Sequence, residues 1–362
     1  MMNSTTSNST AGEAETVVKV LKALCYCVIM LMSLVGNTLV IIIIFRNTRM
    51  RTTTNNLIAN MAISDLLFPL FAVPKEIAQI VIGKSRWLVV GIGGEILCKF
   101  VNFSQDISTA VSILSLVVIA FDRFHAVKFP FQPAVITPKI CRIVICLIWV
   151  VAVGLHSTYF YTFKLIVEGN DTYCKNEWEP AFETASTQKV YFLIIFLVLI
   201  FFPIAVITIL YTAIAIEVWK QKGPTEHSCR ERQRREQENR RVLKQVVTVV
   251  VVFVSCITPV TIFSCLLLFV WNIKKIPPGI DEVNFHFCAL FIMHSNAAIS
   301  PCIYFIFNKN YRKGLSEIYE SCARIFTGLE NQSLEATGSA KPKYNSKVER
   351  VAKIRSPKCQ YI

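Results

Sequence analysis

The chain has 362 residues, of which 53% are hydrophobic and only 17% charged, with a formal net charge of +14 and a mean hydropathy of +0.49. Soluble domains run nearer to about 45–50% apolar and 25% charged. The composition therefore excludes a water-soluble globular chain, and equally a disordered chain, a collagen or a disulfide-stapled miniprotein.

In chain order, residues 1–22 read as a short polar tail without the basic head and apolar core of a cleavable signal peptide. Ala23–Phe45, Ile143–Phe163, Val190–Ile216, Gln245–Ile273 and Val283–Asn308 carry no Asp, Glu, Lys or Arg. Thr52–Pro74 and Phe100–Phe121 are each interrupted by a single aspartate, Asp65 and Asp106. About 20 apolar residues cross a bilayer core roughly 30 Å thick. The expected fold is an all-α membrane protein, a seven-transmembrane helix bundle over 23–307. Residues 308–326 mix Tyr311, Leu315, Ile318 and Tyr319 with Lys309, Arg312, Lys313 and Arg324, which suits a short cytoplasmic amphipathic helix. Residues 327–362 are polar and read as a disordered tail.

Basic residues set the expected orientation. Arg46, Arg49 and Arg51 follow the first span, and Lys220–Lys244 holds nine basic residues against four acidic ones. These ends are cytoplasmic by the positive-inside rule, which puts the amino terminus outside and the carboxyl terminus inside. The positive charge marks loops rather than a nucleic-acid surface. Sequons at Asn3, Asn8 and Asn170 then fall outside, where they can carry glycans. Of the thirteen cysteines, Cys98 and Cys174 alone sit where oxidation to a disulfide is expected; Cys322, near the end of the amphipathic segment, is a palmitoylation candidate. Cys359-Gln360-Tyr361-Ile362 has the outline of a prenylation box, against which Gln360 argues. No Cys/His spacing suggests zinc.

Charged residues inside spans are costly and call for a role. Asp65 lies mid-span, Asp106 in the outer half and Asp122 at the inner end of the third span. For Asp106 a structural carboxylate and a functional one are equally good readings.

Gly36-Asn37-Thr38-Leu39-Val40, Ser64-Asp65-Leu66-Leu67, Asp122-Arg123-Phe124, Trp149, Pro203 with Tyr211, Phe253 with Cys256-Ile257-Thr258-Pro259, and Ser300-Pro301-Cys302-Ile303-Tyr304 follow one another, span by span. In that order they resemble the rhodopsin-like G-protein-coupled receptors, from Ala23 to about Phe326. The resemblance implies that Arg123 pairs with Asp122 at rest and meets a heterotrimeric G protein when released. It implies that Pro259 and Pro301 give places to bend, that Tyr211 and Tyr304 reorient on activation, and that Asp65, Ser112, Asn296 and Ser300 line a pocket for an allosteric sodium ion. No other cofactor is implied. Cys98–Cys174 would pin the outer loop over the binding cavity. Receptor kinases and arrestin are implied partners of the tail, with Ser316, Ser321, Ser333, Thr337 and Ser339 as phosphorylation candidates. Three departures matter. Ile257 stands where the family has a tryptophan, which makes Phe253 the candidate aromatic switch. Ser300 replaces an asparagine, and Asn239 replaces the acid that often locks the arginine, which suggests basal signalling.

His294 occupies the retinal-lysine position and excludes an opsin. Gln105 stands where amine receptors carry their aspartate, as in many neuropeptide receptors. Glu76 lies eleven residues after Asp65, about three turns up the same face. With Glu168, Asp171, Glu177, Glu179 and Glu183 in the long outer loop it makes an acidic mouth suited to a cationic ligand. Gln105, Thr109, Ser264, His286 and His294 would add hydrogen bonds; the plainer reading makes the loop acids a solvated surface and the histidines packing residues. The expected ligand is a basic amidated extracellular peptide, in the neighbourhood of RFamide and neuropeptide Y type receptors. A biogenic amine held by Asp106 is the alternative. A transporter or channel is remote, since no internal repeat is visible, and no nucleophile–base pair points to an enzyme.

Overall fold

The structure, a computed structural model, describes residues 4–83, 86–129, 132–220, 230–271 and 281–336, with the side chains of 4–12, 220, 230–242, 322 and 325–336 left aside. The chain divides into two units, Met1–Gly314 and Leu315–Ile362. Seven helical stretches are long and apolar enough to cross a membrane: Glu13–Arg46, Thr53–Ile82, Gly91–Lys128, Pro138–Thr162, Thr184–Trp219, Leu243–Val270 and Glu282–Phe307. Helices suit that setting because hydrocarbon offers no partner to a free backbone group.

The first helix, α1 (Ser4–Arg46), begins well before residue 23. Residues 13–22 contain good helix formers, and the Glu15–Lys19 pair, one turn apart at 2.8 Å, supports the extension. Lys22 donates to Asn284 and lies 4.7 Å from the Phe287 ring centre, tying this stretch to the seventh span. The second span joins α2 (Thr53–Asp65) to α3 (Val73–Ile82) through a π-helical turn, Phe68–Ala72, carrying Pro69. The third is α4 (Gly91–Lys128), which packs against the second, fourth, fifth and sixth. The fourth is α5 (Pro138–His156) with the short α6 (Tyr159–Thr162). The fifth comprises α7 (Thr184–Ile195), a π-helical turn and α8 (Phe202–Lys220). The sixth is α9 (Arg230–Cys265) ending in the π-helical turn Leu266–Val270, and the seventh is α10 (Glu282–Phe307). Pro259 and Pro301 lie inside their helices, where each removes a backbone bond. The last helix, α11 (Lys309–Ala336), runs ten residues past the expected end at 326, through a stretch rich in Leu, Glu, Gln and Ala.

Between the fourth and fifth spans lies an antiparallel hairpin that the helical pattern did not foretell: β1 (Phe163–Glu168) and β2 (Asp171–Asn176). Its two-residue turn starts at Gly169, whose φ of +62° suits glycine. The Cys98–Cys174 disulfide fastens β2 to the start of the third span.

Polar side chains of the third span follow one face. Gln105, Ser108, Ser112, Ser115 and Asp122 fall within about 100° of arc at 100° per residue, and each bonds to the second span. Gln105 accepts from Lys75 (3.2 Å), Ser108 and Ser112 donate to Asp65 (3.4 and 3.1 Å), Ser115 accepts from Asn60 (3.1 Å) and Asp122 from Thr54 (3.1 Å). Trp149 Nε1 joins from the fourth span by donating to Asn60 Oδ1 (2.9 Å). Around the first and seventh spans, Tyr26 meets Phe287 and Phe291 edge-on, and Asn37 donates to the Ala297 carbonyl (2.9 Å). Apolar side chains such as Val35, Leu147, Val150, Phe202 and Ile209 face outward and exposed, as lipid requires.

The first and seventh spans touch at Gly36, where a Cβ would stand 2.8 Å from Pro301 Cβ. Gly36→Ala should therefore destabilise the folded protein by about 1–3 kcal/mol through overpacking, read as a lower melting temperature in detergent.

Candidate functional site

Among the described residues, two cavities of the bundle bear on the expected site. The smaller, about 30 Å3, is bounded by Asp65, Ser108, Ser112, Asn296, Phe253, Ile257 and His294 among others. The larger, about 330 Å3, lies among the third to seventh spans and is lined by Asp106, Thr109, His156, Tyr159, Asn176, Tyr191, Ile257 and Ser264 among others. Gln105, Thr109, Ile257 and Met293 line both.

Asp65 is buried, held by Ser108 and Ser112. Asn296 Oδ1 is buried and accepts no hydrogen bond among the described residues. A carboxylate, two hydroxyls and an unused amide oxygen are oxygen donors of the kind a hard cation takes, and about 30 Å3 has room for an ion and a water molecule. Asp65, Ser108, Ser112 and Asn296 are thus the residues able to hold sodium. Ser300, also expected there, does not line the small cavity; its hydroxyl donates to the Asn296 carbonyl at 2.9 Å, one turn back in its own helix. Ser108 was not anticipated, although its place four residues before Ser112 puts it on the same face.

At the opposite end of the bundle, Arg123 bonds Asp122, which also takes the Thr54 hydroxyl. Tyr211 Oη is buried and unpartnered. Tyr304 is buried and stacks on Tyr311 with centroids 5.9 Å apart, while Tyr311 Oη bonds Asn55 (3.2 Å). Phe253 is buried against the small cavity, four residues before Ile257.

The expected acidic mouth is arranged differently. Glu76 is 7% exposed and absent from the lining of both cavities; its carboxylate meets Lys75 Nζ at 3.1 Å. The same ammonium reaches Asn102 Oδ1 and Gln105 Oε1, both at 3.2 Å, and Asn102 in turn donates to Cys174 Sγ. Sequence reading missed Lys75 because neighbours in a helix point about 100° apart, yet these two long side chains in the first turn of α3 still meet. The hairpin acids are also served locally. Glu168 pairs with Lys175, and hydrogen bonding to Glu168 raises the Lys175 ammonium above its ordinary value. Asp171 pairs with Arg86, and Glu183 accepts from Ser186. Glu179 accepts from the Thr184 hydroxyl and backbone, which holds its carboxyl below the usual range.

Of the other expected contacts, Ser264 lines the larger cavity, and Gln105 and Thr109 line both. His294 lies deeper, on the small cavity, with Nδ1 3.2 Å from Tyr26 Oη and its ring 4.4 Å from that of Phe68. His286 packs 5.5 Å from the Phe263 ring. Asn170 is exposed in the hairpin turn. Asn3, the side chains of Asn8, Asn239, Cys322 and Ser333, and Thr337, Ser339 and Cys359–Ile362 lie outside the described residues.

The family profile "7 transmembrane receptor (rhodopsin family)" matches residues 36–304. The chain belongs to that family, the G-protein-coupled receptors with seven spans, and not to an enzyme class. It is 28% identical to neuropeptide FF receptor 2 of Mus musculus, over 86% of this chain and 75% of that receptor. It is 30% identical to the substance-P receptor of Homo sapiens (88% and 77%) and 29% to the RYamide receptor of Drosophila melanogaster (94% and 74%).

Lys75→Met leaves the buried Glu76 carboxylate without its cation and should cost about 3 kcal/mol of stability. Lys75→Met with Glu76→Gln should recover most of the loss, because both charges are then gone. Melting temperatures of the two variants check this.

Proposed function

We propose that this receptor sits in the plasma membrane with its amino terminus outside, binds a basic amidated extracellular peptide in the larger cavity, and activates a heterotrimeric G protein at its cytoplasmic end. What carries the reading is the 330 Å3 cavity near the disulfide-pinned hairpin, lined by aromatic and polar side chains from five spans. The size suits one or two side chains at the end of a peptide, with the rest of the chain emerging past the hairpin. The names of the relatives, which are receptors for neuropeptides, agree with it.

Binding there stabilises a minor conformation of the bundle. Gln105, Thr109 and Ile257 border both cavities, so a ligand pressing on them reaches Phe253 and the small cavity below. The sixth helix yields at Pro259 and the seventh at Pro301, where a backbone bond is already lost. Arg123 then leaves Asp122, and Tyr211 gains a partner. Bound sodium would neutralise Asp65 and hold the resting arrangement. Asn239, in place of an acid, leaves Arg123 with Asp122 as its expected lock and gives basal signalling. Tail serines and threonines would recruit receptor kinases and arrestin. Cys322 would carry a palmitoyl group, and Asn3, Asn8 and Asn170 glycans.

A second reading, an amine receptor, is favoured by one observation: Asp106 lines the larger cavity. The two separate in cells carrying this chain with a promiscuous G protein. Short basic amidated peptides should release calcium and biogenic amines should not; the reverse result would overturn the peptide. Arg123→Ala should abolish the calcium response while leaving peptide binding in place.

Sodium gives a further check. Replacing it with an organic cation should raise agonist affinity in the native receptor and leave Asp65→Asn unchanged. Equal salt responses in the two would remove sodium from the pocket.

A further inference from the structure

Asp106 follows Gln105 by one residue, and therefore points about 100° away from it around the helix. It stands off the face that the third span turns to the second. Its carboxylate lines the larger cavity and accepts a hydrogen bond from Tyr159 Oη. Among the described residues no Lys or Arg lines that cavity. Two more polar atoms there lack partners. His156 is 2% exposed and its Nδ1 makes no hydrogen bond; Asn176, brought in by β2, has a buried and unbonded Oδ1.

We propose that Asp106, His156 and Asn176 form a subsite for a guanidinium group, the arginine side chain of a peptide ligand. The inference rests on the larger cavity being the ligand cavity, and it moves the recognition of positive charge from Glu76 to Asp106. Glu76 already has its cation in Lys75 at 3.1 Å, whereas Asp106 has only a neutral phenol. A carboxylate lining a cavity with no Lys or Arg among the described residues favours a cation strongly.

The donors required are several and spread. Asp106 comes from the third span, His156 from the fourth and Asn176 from the hairpin. Asn176 Oδ1 accepts, and so does His156 Nδ1 in the Nε2–H tautomer. A guanidinium offers five donors in one plane and serves acceptors on different sides at once, while an ammonium is a compact point charge. Aromatic faces suited to stacking are present: Tyr159 lies 6.2 Å from Tyr191 and 5.5 Å from His156 between ring centres. Tyr191 is itself fixed, donating to the Leu155 carbonyl at 3.1 Å.

The test uses the full-length receptor purified in detergent, with melting temperature as the readout. The probes are N-acetyl-arginyl-phenylalanine amide and its citrulline counterpart, which keeps the shape and loses the charge. The arginine probe should stabilise the native receptor and Glu76→Gln alike, and the citrulline probe neither. Asp106→Asn should weaken the arginine probe at least about tenfold, and Asp106→Glu should keep most of the binding, which separates lost charge from lost folding. Equal effects of the two probes, no effect of the arginine probe, or an effect that survives Asp106→Asn but disappears in Glu76→Gln would each overturn the subsite. Failure of the peptide reading looks different: cells answer amines and no basic peptide, while the arginine probe still stabilises the purified receptor.

Discussion

A polar side chain in hydrocarbon has no water to fall back on, so it bonds to another part of the chain or carries an unmet cost. The bundle is organised around that constraint at the seam between the second and third spans. Lys75 with Gln105, Asp65 with Ser108 and Ser112, Asn60 with Ser115, and Asp122 with Thr54 form successive rungs along the seam. Lipid tails are as apolar as leucine and give helices little reason to associate, so such bonds and close packing set which helices are neighbours. Trp149 extends the Asn60 rung to the fourth span, and Asn37 ties the first span to the Ala297 carbonyl of the seventh.

The same seam separates structural from functional polarity. Gln105 and Asp106 are adjacent in sequence, yet one belongs to the rungs and the other faces the larger cavity. Glu76 and Asp106 are both acidic and both near the hairpin end, and their surroundings set them apart. Lys75 compensates the first; Tyr159 gives the second a hydrogen bond and no charge. Counting acids near a binding mouth therefore misleads, because a carboxylate with a resident ammonium has little left for a ligand. The hairpin shows the same at its surface, where Glu168 and Asp171 are taken by Lys175 and Arg86.

What was legible in the sequence follows from how local each signal is. The seven spans could be read from charge-free runs, because insertion depends on about 20 residues at a time. The Cys98–Cys174 link needed only the location of two cysteines at the same face of the membrane. The three π-helical turns left no such mark; they swing the residues beyond them by part of a turn, which a regular helical period does not anticipate. The hairpin escaped because one strand follows directly on a charge-free span, although Gly169-Asn170 between two runs rich in β-branched and aromatic residues was a turn signal. Which carboxylate reaches the larger cavity depends on how the third span is rotated against four others, and no single stretch of chain encodes that.

The buried atoms that remain unbonded show where this arrangement is under least restraint. Among the described residues these include Asn37 Oδ1, Tyr211 Oη, His294 Nε2 and Asn296 Oδ1 in the first, fifth and seventh spans, His156 Nδ1 and Thr162 Oγ1 in the fourth, and Asn176 Oδ1 and Trp178 Nε1 beyond it. Each costs about 1–3 kcal/mol as it stands, a cost that an ion, a water molecule or a second packing of the helices can recover. Pro203, Pro259 and Pro301 weaken the fifth, sixth and seventh helices; the second carries Pro69 in its π-helical turn, but the rungs bind it to the third. Soft backbone at Pro203, Pro259 and Pro301 thus lies in helices that make none of the rungs, and the rungs hold the second and third spans together. A switch needs that asymmetry, for a ligand shifts a population only between states that differ in free energy by a few kcal/mol. The larger cavity lies across the divide, with Asp106 on the fixed third span and Ile257, Thr261 and Ser264 on the yielding sixth.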